Sequence, residues 1–127
     1  MTAPGWIAAL VRDFGRAAGL TDFTLNERGV AAVSFENGLS LRFEFAGEAL
    51  TIAVTAPVIL DPAQARTLLA YAHPDARFGM RVRTGYLAGR GRAVFAIRLD
   101  EREATLPVAN RAFDVLWHVA QEFGGLR

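Results

Sequence analysis

The stretch from residue 39 to residue 55 leaves its backbone little choice. Leu39, Leu41, Phe43 and Phe45 alternate with Ser40, Arg42 and Glu44. After Ala46-Gly47-Glu48 the same beat returns, with Leu50, Ile52 and Val54 set against Thr51, Ala53 and Thr55. A period of two gathers the apolar side chains on one face of a strand, which no helix can do with that spacing. Upstream, Val30 to Glu36 is β-compatible, and Asn37-Gly38 joins it to the next strand with a strong hairpin signal, since both residues tolerate positive φ. The result is a three-stranded antiparallel meander with one apolar face that must be covered.

Helical spacing on either side supplies the cover. Trp6, Leu10, Phe14 and Ala18 fall four apart, with Ile7 and Val11 beside them, Arg12, Asp13 and Arg16 opposite, and Gly19 as a stop. Asp61-Pro62 reads as an N-cap followed by proline in the first helical position. Ala65, Leu68, Leu69 and Ala72 extend that second helix toward His73-Pro74. A fourth strand is expected over Met80 to Leu87, with Met80, Val82 and Tyr86 on one side and Arg81 and Arg83 on the other. Gly89-Arg90-Gly91 turns the chain into a fifth strand, Ala93 to Asp100. Pro107 opens a last helix whose stripe of Val108, Ala112, Val115, Leu116, Val119 and Phe123 is widened by Phe113 and Trp117, before Gly124-Gly125 ends it. The expected class is α+β: helix, three strands, helix, two strands, helix, an antiparallel sheet flanked by helices. No linker or repeat divides it, so residues 1–127 read as one domain.

That size suits one core, since a chain of 127 residues buries roughly two-thirds of the surface its unfolded form exposes. Apolar residues reach 52%, a surplus that suggests some of them face a partner. Met1 to Gly5 lacks a basic leader, and no apolar run approaches the roughly 18 residues of a membrane span. The expectation is a cytoplasmic protein.

Chemistry is thinly represented. All 14 basic residues are Arg, which removes Schiff-base and phosphate-loop lysines, and the absence of Cys removes thiol nucleophiles, thiolate metal sites and disulfides. The two serines, Ser34 and Ser40, lie in strands. His73 and His118 show no paired metal spacing, and His118 beside Asp114 and Glu122 reads as a solvated helix face. Gly85, Gly89 and Gly91 complete no dinucleotide fingerprint. No catalytic residue, metal or cofactor is expected.

One cluster stands apart. Between residues 76 and 99 there are six Arg (77, 81, 83, 90, 92 and 98) and no acid, with Phe78, Tyr86 and Phe95 interleaved. Arg81, Arg83, Arg90 and Arg92 form its basic patch. Such a strand pair suits an acidic protein segment, protection of a sheet edge, or single-stranded nucleic acid held by phosphate contacts and base stacking.

Several short strings, in this order, resemble the class I type III secretion chaperones (the Tir chaperone, or CesT, family). They are Phe14-Gly15 with Gly19-Leu20, the strand entry at Leu25, the hairpin at Asn37-Gly38, and the apolar strand Leu50 to Val54. Leu68-Leu69, Gly79 and the amphipathic helix after Leu106-Pro107 continue the likeness over nearly the whole chain. It implies a homodimer without enzymatic activity that holds the N-terminal segment of a secreted effector and hands it to the export machine. By position, Phe14, Leu20, Phe23, Leu25, Phe35 and Phe43 would line the effector grooves, and Leu68, Leu69, Tyr71, Val82 and Tyr86 would supply dimer contacts. Read from the residues alone, two alternatives stay open: an interaction or regulatory module of the same fold, and a single-stranded nucleic-acid binder.

Overall fold

The computed structural model describes residues 3–58, 61–70, 80–87 and 89–125. Helix α1 (Gly5–Ala17) leads into strands β1 (Val30–Ser34), β2 (Ser40–Ala46) and β3 (Ala49–Pro57). Helix α2 (Pro62–Ala70), strands β4 (Arg83–Leu87) and β5 (Arg92–Asp100) and helix α3 (Leu106–Gly125) follow. All pairings in the sheet are antiparallel, in the order β1-β2-β3-β5-β4. The element order is the expected one. Strand β4 begins at Arg83 rather than Met80, and the expected end of α2 at His73-Pro74 lies outside the described residues.

Register explains the core. Leu41 pairs with Val54, Phe43 with Ile52 and Phe45 with Leu50, while Phe95, Ile97 and Leu99 continue those rows onto β5. All nine side chains are buried, so period two in three neighbouring strands makes one apolar wall. Helix α3 packs across β3 and β5 and α1 packs against α3, which buries Phe14, Leu116 and Phe123 against that wall. The other face carries Arg42, Glu44, Thr51, Thr55, Val94, Ala96 and Arg98.

Two expectations need correction. The buried stripe of α1 is Ile7, Leu10, Val11 and Phe14, whereas Trp6 is 46% exposed. A four-residue spacing drifts by about 40° per step, so a row that runs from Trp6 through Phe14 to Ala18 rotates off the core. The second concerns turns. At Asn37-Gly38 only Gly38 has positive φ, and Phe35 closes the hairpin with Leu39 through a 2.9 Å bond, leaving a three-residue loop with glycine in the left-handed position. The two-residue turn with both φ positive sits instead at Gly47-Glu48.

Helix α2 starts as its sequence suggests. The Asp61 carboxylate accepts the Gln64 amide at 2.8 Å, with Pro62 in the first helical position where no N–H is needed.

Candidate functional site

Six aromatic and aliphatic residues were expected to line grooves, and the structure divides them evenly. Phe14, Phe23 and Phe43 are 1%, 4% and 0% exposed, so these three are core and do not line a groove. Their rings form one cluster, with centroids 4.7 Å apart for Phe14 and Phe43, 5.3 Å for Phe23 and Phe43, and 6.0 Å for Phe14 and Phe23. Phe23 reaches the core because α1 presents Gly15 there: a Cβ on Gly15 would stand 2.8 Å from the Phe23 Cβ. Leu20, Leu25 and Phe35 are partly buried and pack on the rim of the same core.

The rim holds residues that the sequence reading missed. Phe35 meets Trp117 edge-on at 5.0 Å, Trp117 meets Phe113 at 5.5 Å, and Phe113 meets Phe14 at 5.5 Å. A continuous aromatic row therefore runs from the core to Phe35 at the end of β1, and Val33 on that strand is partly buried as well. The signal for Trp117 was the widened stripe of the last helix. Phe35 was named from the family likeness, but its contact with Trp117 across the fold was not predictable from local spacing.

Beside this row, β1 is an edge strand, and its backbone is open over a short length. Phe45 donates to the Gly29 carbonyl and Phe35 donates to the Leu39 carbonyl. In an antiparallel ladder the residues that exchange bonds alternate, so Gly29, Ala31, Val33 and Phe35 face β2 in this register. Val30, Ala32 and Ser34 then turn their N–H and C=O groups outward. Those of Val30 are engaged by Asn26. Those of Ala32 and Ser34 have no backbone partner among the described residues. Unpaired edge groups next to an apolar row match what an extended peptide needs, which is backbone pairing along the strand and pockets for alternate side chains.

The opposite edge reads differently from its sequence. Leu68 and Val82, expected at a dimer contact, are buried in the core of the single chain. The reason is that β4 places Thr84 and Tyr86 opposite Phe95 and Ala93, on the helix-covered side, and the chain just before it continues inward. Tyr86 is half-buried, its hydroxyl 3.5 Å from the Val58 carbonyl oxygen. Tyr71 and the Leu69 side chain lie outside the described residues. Leu87, which was not singled out, is 43% exposed at this edge.

The basic patch loses one member. Arg81, Arg83 and Arg90 are exposed, but Arg92 is a structural tie. Its Nε donates to Thr55 Oγ1 at 2.7 Å and its Nη2 to the carbonyls of Gly38 at 2.6 Å and Thr55 at 3.2 Å. Of the patch, Arg90 borders a cavity of about 680 Å³ on the helix-free sheet face, floored by Ala53, Val94 and Ala96 and walled also by Arg42 and Leu87. Phe95 is fully buried on the other face. The described arginines therefore lack the interleaved ring it was expected to supply for base stacking.

A family model described as type III secretory system chaperone SycN matches residues 6–124. No curated protein sequence matches. Among solved structures, a chain of the ExsC–ExsE complex superposes with a TM-score of 0.80 at 18% identity, over 97% of this chain and 94% of its own length. A chain of the HopA1–SchA chaperone–effector complex gives 0.73 at 16% identity, over 96% and 98%. One from the Yersinia pestis complex of the chaperone SycH with a YscM2 fragment gives 0.69 at 16%, over 95% and 99%. At such identities the likeness to solved structures is one of fold, and it is the fold derived above. With nearly its whole length matched by the family model, this chain belongs to the SycN family of type III secretory system chaperones.

Proposed function

We propose that this chaperone holds an extended N-terminal segment of a secreted effector along the outer edge of β1 and keeps it unfolded until the export machine takes it. The observation that carries the reading is the backbone of Ala32 and Ser34, open among the described residues, next to the partly buried Val33, Phe35 and Trp117, with Leu20 and Leu25 partly buried on the rim of the same core. Ordering an unfolded segment costs about 2–5 kcal/mol. At about 25 cal/mol per Å², burying roughly 80–200 Å² of apolar client surface offsets that cost, and edge hydrogen bonds add affinity. Binding of this kind needs no enzymatic step and no nucleotide, and the reading places the protein in the cytoplasm as a single chaperone unit over residues 1–127.

A homodimer completes the proposal, formed at the edge where β4 and α2 lie. Leu68 and Val82 are unavailable to it, so Tyr86 and the exposed Leu87 carry the described part of that contact.

The test is co-expression with a candidate effector's N-terminal segment, followed by hydrogen exchange. The Ala32 and Ser34 amides should slow on complex formation and the bound segment should resist protease. A stable complex in which those amides exchange as in the free protein would place the client elsewhere.

A further inference from the structure

The open edge is short because one residue closes its beginning. The backbone N–H of Asn26 donates to the Val30 carbonyl at 2.8 Å, and Asn26 Oδ1 accepts the Val30 N–H at 3.1 Å and the Arg28 N–H at 2.8 Å. Gly29 donates back to the Asn26 carbonyl at 2.9 Å, which closes the turn. Asn26 thus occupies both outward groups of Val30, in the place where a neighbouring strand would put its own amide and carbonyl.

The chain before Asn26 does not continue that pairing. Thr24 would fall opposite Ala32 if residues 23–26 ran on as a sixth strand, yet no bond joins their backbones among the described residues. Phe23 is drawn instead beneath α1, against Gly15, Phe14 and Phe43. The segment touches β1 at one residue and peels away at the next.

We infer that Asn26 is a strand stop: it ends the backbone pairing of a bound client at Ala32 and turns the client chain out of the sheet there. This rests on the edge reading above and adds its boundary. A strand advances about 3.3 Å per residue with side chains on alternate faces. Where pairing stops therefore decides which client side chains meet the row at Phe35 and Trp117, and which leave toward Leu25. Asn26 is a positioning residue here, acting through Val30 without touching the reach of pairing at Ser34. The same contact shortens an exposed edge that would otherwise invite a second copy.

The experiment uses the full chain and a peptide selected for binding to it from a randomised display library. Exchange of the Val30, Ala32 and Ser34 amides is followed with and without peptide, for wild type, Asn26→Ala and Asn26→Asp. In wild type, Val30 should be protected throughout, and Ala32 and Ser34 should slow only when peptide is bound. Asn26→Ala removes Oδ1 and frees the Val30 N–H while the residue-26 amide keeps its bond to the Val30 carbonyl. Val30 should therefore exchange freely in the unbound protein and slow by about tenfold or more with peptide, as a client carbonyl takes the place of Oδ1. Asn26→Asp keeps the acceptor oxygen and should behave as wild type, which separates the stop from general loosening of the turn. If Val30 of Asn26→Ala stays unprotected with peptide bound to Ala32 and Ser34, pairing ends there for another reason and the inference fails. Protection of Val30 that rises with protein concentration alone would identify a second copy as the occupant and overturn it too. A peptide that leaves Ala32 and Ser34 unchanged in wild type, or a library that yields no binder, removes the edge reading itself.

Discussion

At one edge of the sheet, β1 offers the backbone of two residues, unpaired among the described residues, beside an aromatic row that runs unbroken to Phe14 in the core. At the other, among the described residues, β4 offers little apolar backing: Leu68 and Val82 are sealed inside, Leu87 is exposed, and so are the neighbouring arginines. Both edges are five-residue strands, so the difference lies in what stands behind them. The β1 edge is held by side chains that share the core, and an extended chain laid on it gains hydrogen bonds and burial together. The β4 edge presents a side chain and charge, which suits a folded surface. Arg92 ties β5, the neighbour of β4, to the turn between β1 and β2, so the two edges are mechanically joined.

The largest test of this contrast is Phe23→Ala. Removing a buried phenylalanine costs about 3–5 kcal/mol in urea unfolding. It also frees residues 23–26 to pair along β1, so the Ala32 amide should become protected in the unbound protein. If Ala32 exchanges as before, Phe23 is not what keeps the edge open. Next is Arg92→Met, which abandons three hydrogen bonds and takes from the Gly38 carbonyl its arginine donor. A loss of about 2 kcal/mol is expected, with client affinity unchanged; a matching loss of affinity would show that the tie shapes the β1 edge.

Ser34→Pro acts on the β1 edge alone. The Ser34 N–H points outward, so β1–β2 pairing survives a proline there. Calorimetry should show client binding weakened by about tenfold, roughly 1.4 kcal/mol, with little change in melting. Unaltered affinity would take backbone pairing out of the account. The smallest effect expected is that of Leu87→Glu. It should weaken self-association in sedimentation by about fivefold, near 1 kcal/mol, and spare the client. An unchanged dimer would remove β4 from the contact, and a lost client would mean the edges do not divide the work.

These outcomes also mark how far the sequence could be read. The alternation from Leu39 to Val54, with the β-compatible run from Val30 and the hairpin signal at Asn37-Gly38, was enough for three strands, their buried face and the helices needed to cover it, because periods of two and 3.6 are set by local backbone geometry. The Asp61-Pro62 start of α2 was legible for the same reason. Site assignment was harder. Phe14, Phe23 and Phe43 have the same chemistry as Phe35, and no pattern along the chain tells a core ring from a rim ring.

What the sequence by itself determined was the order of elements, the polarity of each face and the absence of lysine and cysteine chemistry. Only the tertiary structure decided which aromatic residues are enclosed, that Val82 and Leu68 turn inward, that Arg92 is committed to a tie, and that among the described residues β1 is left open at Ala32 and Ser34. The physical reason is that periodicity belongs to neighbours along the chain. Burial and open hydrogen bonds depend on what arrives from elsewhere: Gly15 making room for Phe23, Trp117 meeting Phe35, and Asn26 reaching Val30.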